Sequence, residues 1–302
     1  MSTKTYRCSP ARTTSRAGAR QVLAVSGAAV LVICVCLVAL AVIVLPHSGT
    51  AKSSDEPLAP PAVVKAITDV KTAQLNAVNL PSAGLLAPPK ELPDEPLLVL
   101  SGKPEIIYMG ALYCSSCAAE RWPLAIALSR FGSWKGLHET YSASKPEPYP
   151  HTPSLSFDGA SYVSPYITFA SVEMQSDRPA GAPGHYAQLQ APTSEEVRLY
   201  DTFDASSGGK SAGVIPFIDY ANQFVQVGGA NYSPALLEGK TPQQVAASLA
   251  DGKSDTGQAV LASADVVTAM ICVATDGKPA RVCNGSAVKT AFSGVLSSQI
   301  TS

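Results

Sequence analysis

Apolar residues along the chain fall into three regimes: one long unbroken run, a proline-punctuated stretch, and then short runs separated by turn residues. The long run is Val22 to Leu45, 24 residues without a charge. About 20 apolar residues cross a bilayer as a helix, whereas the apolar core of a cleaved signal is roughly 7–15 residues. The segment 22–45 therefore reads as a transmembrane helix, with Ser48-Gly49-Thr50-Ala51 as a weak cleavage-like patch that leaves processing as the alternative. Lys4, Arg7, Arg12, Arg16 and Arg20 precede the run with no acidic residue among them. By the positive-inside rule, 1–21 is a cytoplasmic basic tail and everything after the helix is extracytoplasmic.

The second regime, 46–95, includes HSGTAKSSDEP, PLAPP and APPKELPDEP. Such proline density predicts an extended, semi-rigid stalk. Inside it, Val63 to Val78 carries valine, isoleucine and leucine at helical spacing and predicts one packing helix.

The third regime, 96–302, predicts a folded domain. Leu97 to Leu100 and the run EIIYMGALY, ending at Tyr113, read as buried strands bounded by Gly and Pro. From Ala118 to Phe131 the period changes, with Trp122, Ile126 and Phe131 approximating one helix face. SYVSPYITFASVEM alternates like a strand, and Asp177 to His185 reads as a loop. PTSEEVRLYDTF reads as a helix opened by the capping box Thr193/Glu196. Phe217 to Tyr220 and Phe224 to Val227 are strands around the turn Ala221 to Gln223, closed by Gly228 and Gly229. Thr241, Pro242 and Gln244 signal a helix start. A helix over Thr256 to Ala274 ends at DGKP, and another follows Cys283.

With 46% hydrophobic and 15% charged residues, 302 residues suffice for a sizeable core. A net charge of −1 supplies no electrostatic reason to expect nucleic acid. Cysteine usage follows the topology: Cys8, Cys34 and Cys36 lie before or within the apolar run, while Cys114, Cys117, Cys272 and Cys283 lie after it. The outer four form an even set in an oxidising space, where two disulfides are allowed.

Candidate chemistry concentrates in GALYCSSCAAERW, where Cys114 stands at the passage from strand to helix. A helix start offers unpaired N–H groups and a positive dipole end, which stabilise a thiolate. Cys117, three residues on, can reach back to close a disulfide. Three readings remain open for the pair: dithiol redox chemistry, a metal site, or a disulfide that only staples a turn. A structural zinc site needs four ligands, yet Cys272 and Cys283 stand with ten residues between them and His47, His138, His151 and His185 are scattered. Copper delivery would need only the two thiolates and one histidine. No metal and no cofactor is predicted. Cys272 and Cys283 read as a structural disulfide across a short loop, with a relay pair exchanging with Cys114 and Cys117 as the sharper alternative.

Pro216 stands directly before the strand-like FIDY, a position proline takes only at strand starts and edges. Strand, Cys-x-x-Cys and helix, then Ile215-Pro216 and a hairpin, occur in the order that resembles the thioredoxin superfamily. The resemblance implies an α/β, thioredoxin-like fold: a central mixed sheet flanked by helices, here with an insertion over 141–210 and extra C-terminal helices. It implies Cys114 as the attacking cysteine, Cys117 as the resolving one, and a cis Ile215-Pro216 loop offering backbone hydrogen bonds to an extended substrate. Ser115 and Ser116, the central dipeptide, would set thiolate stability and redox poise. The chain departs from the superfamily in three places: Tyr113 replaces a tryptophan, Ser115-Ser116 lacks Pro, Gly or His, and Pro123 lies six residues after the second cysteine rather than five.

GKPEIIYMGALYCSSCAAERWPLAIALSRFGSW, SLSFDGASYVSPYITFASVEM, VIPFIDYANQFVQVGG and ICVATDGKPARVC are similar to the archaeal and actinobacterial family called domain of unknown function nine hundred twenty-nine. That likeness runs over about Pro96 to Ala291. Together these readings lead to an expectation: a single-pass, membrane-anchored thiol-disulfide oxidoreductase acting outside the cytoplasm on thiols and disulfides of exported proteins. The bilayer would be engaged through 22–45, and a membrane redox partner would regenerate the dithiol. The competing expectation is a non-catalytic thioredoxin-fold module, for copper or metal delivery or as a scaffold for membrane partners.

Overall fold

The computed structural model describes residues 55–80, 84–206, 214–250 and 252–300. The expected basic tail and membrane helix, 1–45, lie outside the described residues. In chain order the elements are α1 (Pro61–Thr68), α2 (Thr72–Leu75), β1 (Lys90–Glu91), β2 (Val99–Leu100), β3 (Lys103–Gly110) and α3 (Ser115–Ser129). There follow β4 (Ser133–Lys135), β5 (His138–Tyr141), β6 (Pro153–Ser156), β7 (Ser161–Val163), β8 (Thr168–Glu173), β9 (Gln175–Pro179), β10 (Tyr186–Gln188) and α4 (Ser194–Ser206). The chain continues through β11 (Phe217–Tyr220), β12 (Phe224–Val227), α5 (Pro242–Ser248), α6 (Asp255–Ala274), α7 (Ala280–Cys283) and α8 (Ser286–Ile300).

A mixed sheet runs β1-β12-β11-β3-β8, with β2 pairing the start of β3. β8 lies parallel to β3, Glu105 opposite Thr168 through Gly110 opposite Glu173. β11 lies antiparallel on the other side of β3, Phe217 opposite Met109 and Tyr220 opposite Ile106, and turns back into β12. Alternate residues of β3 face opposite sides of the sheet, as the period of two requires. Ile106 and Tyr108 join Ile218, Tyr220 and Phe224 in a large core with α3 and α6. Ile107 and Met109 join Val172, Phe217, Val225 and the α4 residues Leu199 and Phe203 in a smaller one. Burial on both faces explains why β3 reads as an unbroken apolar run instead of an alternating one.

α6 is buried almost all round. It is the one described helix long and apolar enough to cross a bilayer, and 83% of its most apolar window lies inside the domain, so its hydropathy reflects a core position. The expected disulfide joins Cys272 to Cys283 with Cα atoms 5.5 Å apart, tying the end of α6 to α7.

The stalk expectation needs correction for its described part. Val63, Ile67, Leu75 and Val78 lie in the same core as Trp122, Val245 and Leu261. Pro60 and Pro61 flank the start of α1 instead of extending it, because a proline at the first helical position loses no helical hydrogen bond. The single helix expected over Val63 to Val78 is two: α1 stops at Asp69, and α2 is pinned where Gln74 Nε2 donates to Leu249 O and Ala250 O at 2.8 and 3.0 Å. Likewise SYVSPYITFASVEM makes two strands, β7 and β8, broken around Pro165, and the front of the Asp177–His185 loop belongs to β9. Both predicted capping boxes form: Thr193 with Glu196 at the start of α4, and Thr241 with Gln244 at α5.

Candidate active site

β3 delivers the chain to Cys114, whose extended backbone (φ −76°, ψ 123°) makes it the N-cap of the fifteen-residue α3. Its sulfur takes the place usually held by a capping oxygen, accepting from the Cys117 N–H at 3.2 Å. The Ile215 carbonyl oxygen lies 3.9 Å from the same sulfur. Ile215-Pro216 is cis, and Gly228 N donates to Pro216 O at 2.8 Å, locking this loop to the end of the hairpin. Gly228 has a φ of +80°, and a Cβ there would meet Val214 at 2.7 Å, so only glycine closes the hairpin against the loop.

Both thiols are free, Cys117 completely buried and Cys114 8% exposed. The two environments differ in sign. Cys114 is pushed down, first by the Cys117 thiol and then by the Cys117 backbone N–H and the Arg121 cation, against the opposing effect of its burial. Cys117 is pushed well up, first by desolvation and then by its donation to Cys114. A more acidic sulfur, on the residue that keeps slight exposure, backed by a completely buried, proton-holding one is the arrangement sequential attack and resolution use.

The two serines of the dipeptide separate. Ser115 is buried, while Ser116 faces a groove of about 420 Å³ whose walls include Pro88, Lys90, Gly228, Gly229 and Tyr232. Among the described residues, no group of three or more His, Cys, Asp or Glu side chains is placed to hold a metal ion.

Residues 96–191 match a family model described as Domain of unknown function (DUF929). That match takes in Cys114 and Cys117 and ends before Ile215-Pro216 and the C-terminal disulfide, a shorter span than the resemblance over about Pro96 to Ala291. Neither the curated proteins nor the solved structures yield a match.

Sequence reasoning passed over the charged residues behind the dithiol. Arg121, one turn after Cys117, is fully buried and forks onto Glu173, Nε to Oε1 and Nη2 to Oε2 both at 2.7 Å. It also donates to Ala111 O at 2.7 Å and Ser154 Oγ at 3.3 Å. Glu120, its neighbour, is completely buried, and both of its carboxyl oxygens lack a partner at hydrogen-bond geometry. Desolvation holds it at about 8, opposed by the approach of Gln226 and the Asn231 backbone N–H. One signal was available: Glu120 and Arg121 sit in the middle of an otherwise alanine- and leucine-rich helix beginning at the motif.

Pro123 lies inside α3 and cannot donate to the carbonyl of Ala119 four residues back. The Tyr232 hydroxyl donates to that oxygen at 2.8 Å. The sheet-to-helix connection after β12 thus satisfies the group that proline leaves open, next to the groove.

Proposed function

We propose that this chain is a membrane-anchored, extracytoplasmic thiol-disulfide oxidoreductase of thioredoxin-like fold. The observation that carries the reading is the Cys114 sulfur capping α3 while facing the carbonyl of Ile215 in a cis Xaa-Pro loop. The strand order β8-β3-β11-β12, with the dithiol helix following β3, supports the fold assignment.

In the reductive direction, the Cys114 thiolate attacks one sulfur of a client disulfide. The client S–S bond breaks, a mixed disulfide forms, and one client thiolate departs and takes up a proton. Cys117 then gives up its proton and attacks the Cys114 sulfur, releasing the second client thiolate and leaving Cys114 and Cys117 joined. The client has gained two electrons that the dithiol has lost, and the reverse sequence oxidises a client dithiol. Each cycle requires a partner that restores the pair, and an anchor at 22–45 would hold the protein where exported clients and a membrane redox partner meet.

The test is equilibration of the full-length protein in glutathione redox buffers, with the Cys114/Cys117 state read by alkylation and mass spectrometry, in cells as well as in vitro. Reversible two-electron exchange is expected, and the potential assigns the direction of transfer. A pair that never exchanges, or that binds copper stoichiometrically through both sulfurs, overturns the proposal.

A further inference from the structure

The loop 142–152, inserted between β5 and β6, is held against the dithiol by a definite set of bonds. Its base closes on itself, Ser142 N donating to Thr152 O at 2.9 Å and Thr152 N to Ser142 Oγ at 2.9 Å. It is pinned to the residue just before the motif, Ala143 N donating to Tyr113 O at 3.0 Å. At its tip stands Glu147, half-buried, its carboxyl raised above the ordinary range first by desolvation, which the Tyr186 hydroxyl and then the backbone N–H of Ser115, the first residue of α3, oppose. The Tyr186 hydroxyl from β10 lies 3.5 Å from Glu147 Oε1, and the Tyr186 ring stacks on Tyr113 with centroids 4.2 Å apart. Through Tyr186 and Tyr113, a carboxylate from another part of the chain therefore stands beside the residue that precedes the Cys114 sulfur and its helix.

We propose that Glu147 is a positioning residue that sets the redox poise of Cys114-Cys117, by competing with the Cys114 sulfur for the positive end of α3. The inference rests on the oxidoreductase reading and deepens it. Two anions at one helix terminus oppose each other, so an ionised Glu147 disfavours the Cys114 thiolate, the same sign in which it acts on that thiol's acidity. A less favoured thiolate means a less stabilised dithiol, and hence a less oxidising disulfide. The groups that face Cys114 are Cys117 and Arg121 of α3 and Glu147 of the loop, with Tyr108 and Tyr113 neutral beside it. Arg121 and Glu147 act on the Cys114 sulfur in opposite directions, the cation favouring its thiolate and the carboxylate opposing it.

The experiment uses the full-length chain and the Glu147→Gln variant. The pH dependence of alkylation is followed on the peptide carrying Cys114, and the disulfide equilibrium with glutathione is measured in parallel. In Glu147→Gln the alkylation midpoint should fall by about one pH unit, and the equilibrium should move about tenfold toward the dithiol, roughly 30 mV for a two-electron couple. An unchanged midpoint and equilibrium in a variant with wild-type thermal stability overturns the inference. Should Glu147→Gln fold poorly, Glu147→Ala removes the carboxylate without leaving a polar group to bury, and the same shift or its absence decides. A wild-type pair inert to glutathione would instead sink the oxidoreductase reading, while the alkylation midpoint still reports on Glu147.

Discussion

The sulfur of Cys114 lies 3.9 Å from the carbonyl oxygen of Ile215, across 101 residues of chain. β11 runs antiparallel beside β3, so the residues just before one strand meet those just after the other. An extended client segment placed along the Ile215-Pro216 loop would bring its cysteine to Cys114, the less deeply buried residue of the pair. In Cys117→Ala, resolution is removed and Cys114 should accumulate in mixed disulfides with exported proteins, visible on non-reducing gels and absent when Cys114 is also replaced. A Cys117→Ala protein that captures nothing would weigh decisively against dithiol chemistry.

Arg121 and Glu173 form a fully buried bidentate pair behind the dithiol. Breaking such a pair strands a charge, so Arg121→Met should lower unfolding free energy by about 3–5 kcal/mol. Replacing both, as Arg121→Met with Glu173→Leu, should recover most of that loss. In the folded double variant, Cys114 should ionise at higher pH, because the cation that favours its thiolate is gone. Denaturant titration and the alkylation profile measure the two effects separately.

Burial holds the Glu120 carboxyl at about 8, above its ordinary 4.5. The folded protein keeps a proton there that the unfolded chain releases, so this contribution to stability is whole below pH 4.5 and is lost as pH rises through 8. The loss runs at up to about 1.4 kcal/mol per pH unit. Glu120→Gln should therefore show a flatter decline of stability between about pH 5 and 8 than the wild type. Asp219 and Asp265, raised by burial to about 7 and about 6, remain in both proteins, so the difference isolates Glu120. Equal slopes would place an ionised, compensated carboxylate at this position.

Tyr232→Phe should cost about 1–3 kcal/mol by leaving the Ala119 carbonyl buried without a donor. Pro123→Ala restores the missing N–H, so the penalty of Tyr232→Phe should shrink in that background. A double-mutant cycle reads this coupling, and strict additivity of the two changes would show that the hydroxyl does not stand in for the missing amide.

The Cys272–Cys283 bond closes a loop with a sequence separation of 11. For a loop of that size, chain-entropy reasoning gives roughly 3 kcal/mol of stabilisation. Replacing both cysteines with Ser should lower the melting temperature accordingly while leaving Cys114-Cys117 exchange intact. Loss of exchange without loss of stability would reassign the pair as a relay.

The elements read most faithfully from the residues are those whose cause is local. The Thr193/Glu196 and Thr241/Gln244 boxes, the hairpin around Ala221 to Gln223, and the passage from strand to helix at Cys114 each depend on neighbours within about four positions, and spacing along the chain records such neighbours. The Val63–Val78 region shows where this ends. Its proline flanks look like a linker, but its apolar face is claimed by α3 and α5, and which face finds a partner is a property of packing.

The sequence by itself determined the Cys-x-x-Cys pair and its place at a helix start, because both follow from residue type and short-range order. The Ile215-Pro216 loop instead follows from the resemblance to the thioredoxin superfamily, and the Cys272–Cys283 bond is one of two readings until the fold joins the sulfurs. Only the tertiary structure decided the electrostatics around the sulfur. Arg121 meets Glu173 across 52 residues, Tyr232 meets Ala119 across 113, and Glu147 comes from a separate loop to Tyr186, which stacks on Tyr113 beside the motif. Charge interactions act through space and strengthen with desolvation, so their partners are set by which elements pack together, and no spacing along the chain encodes them.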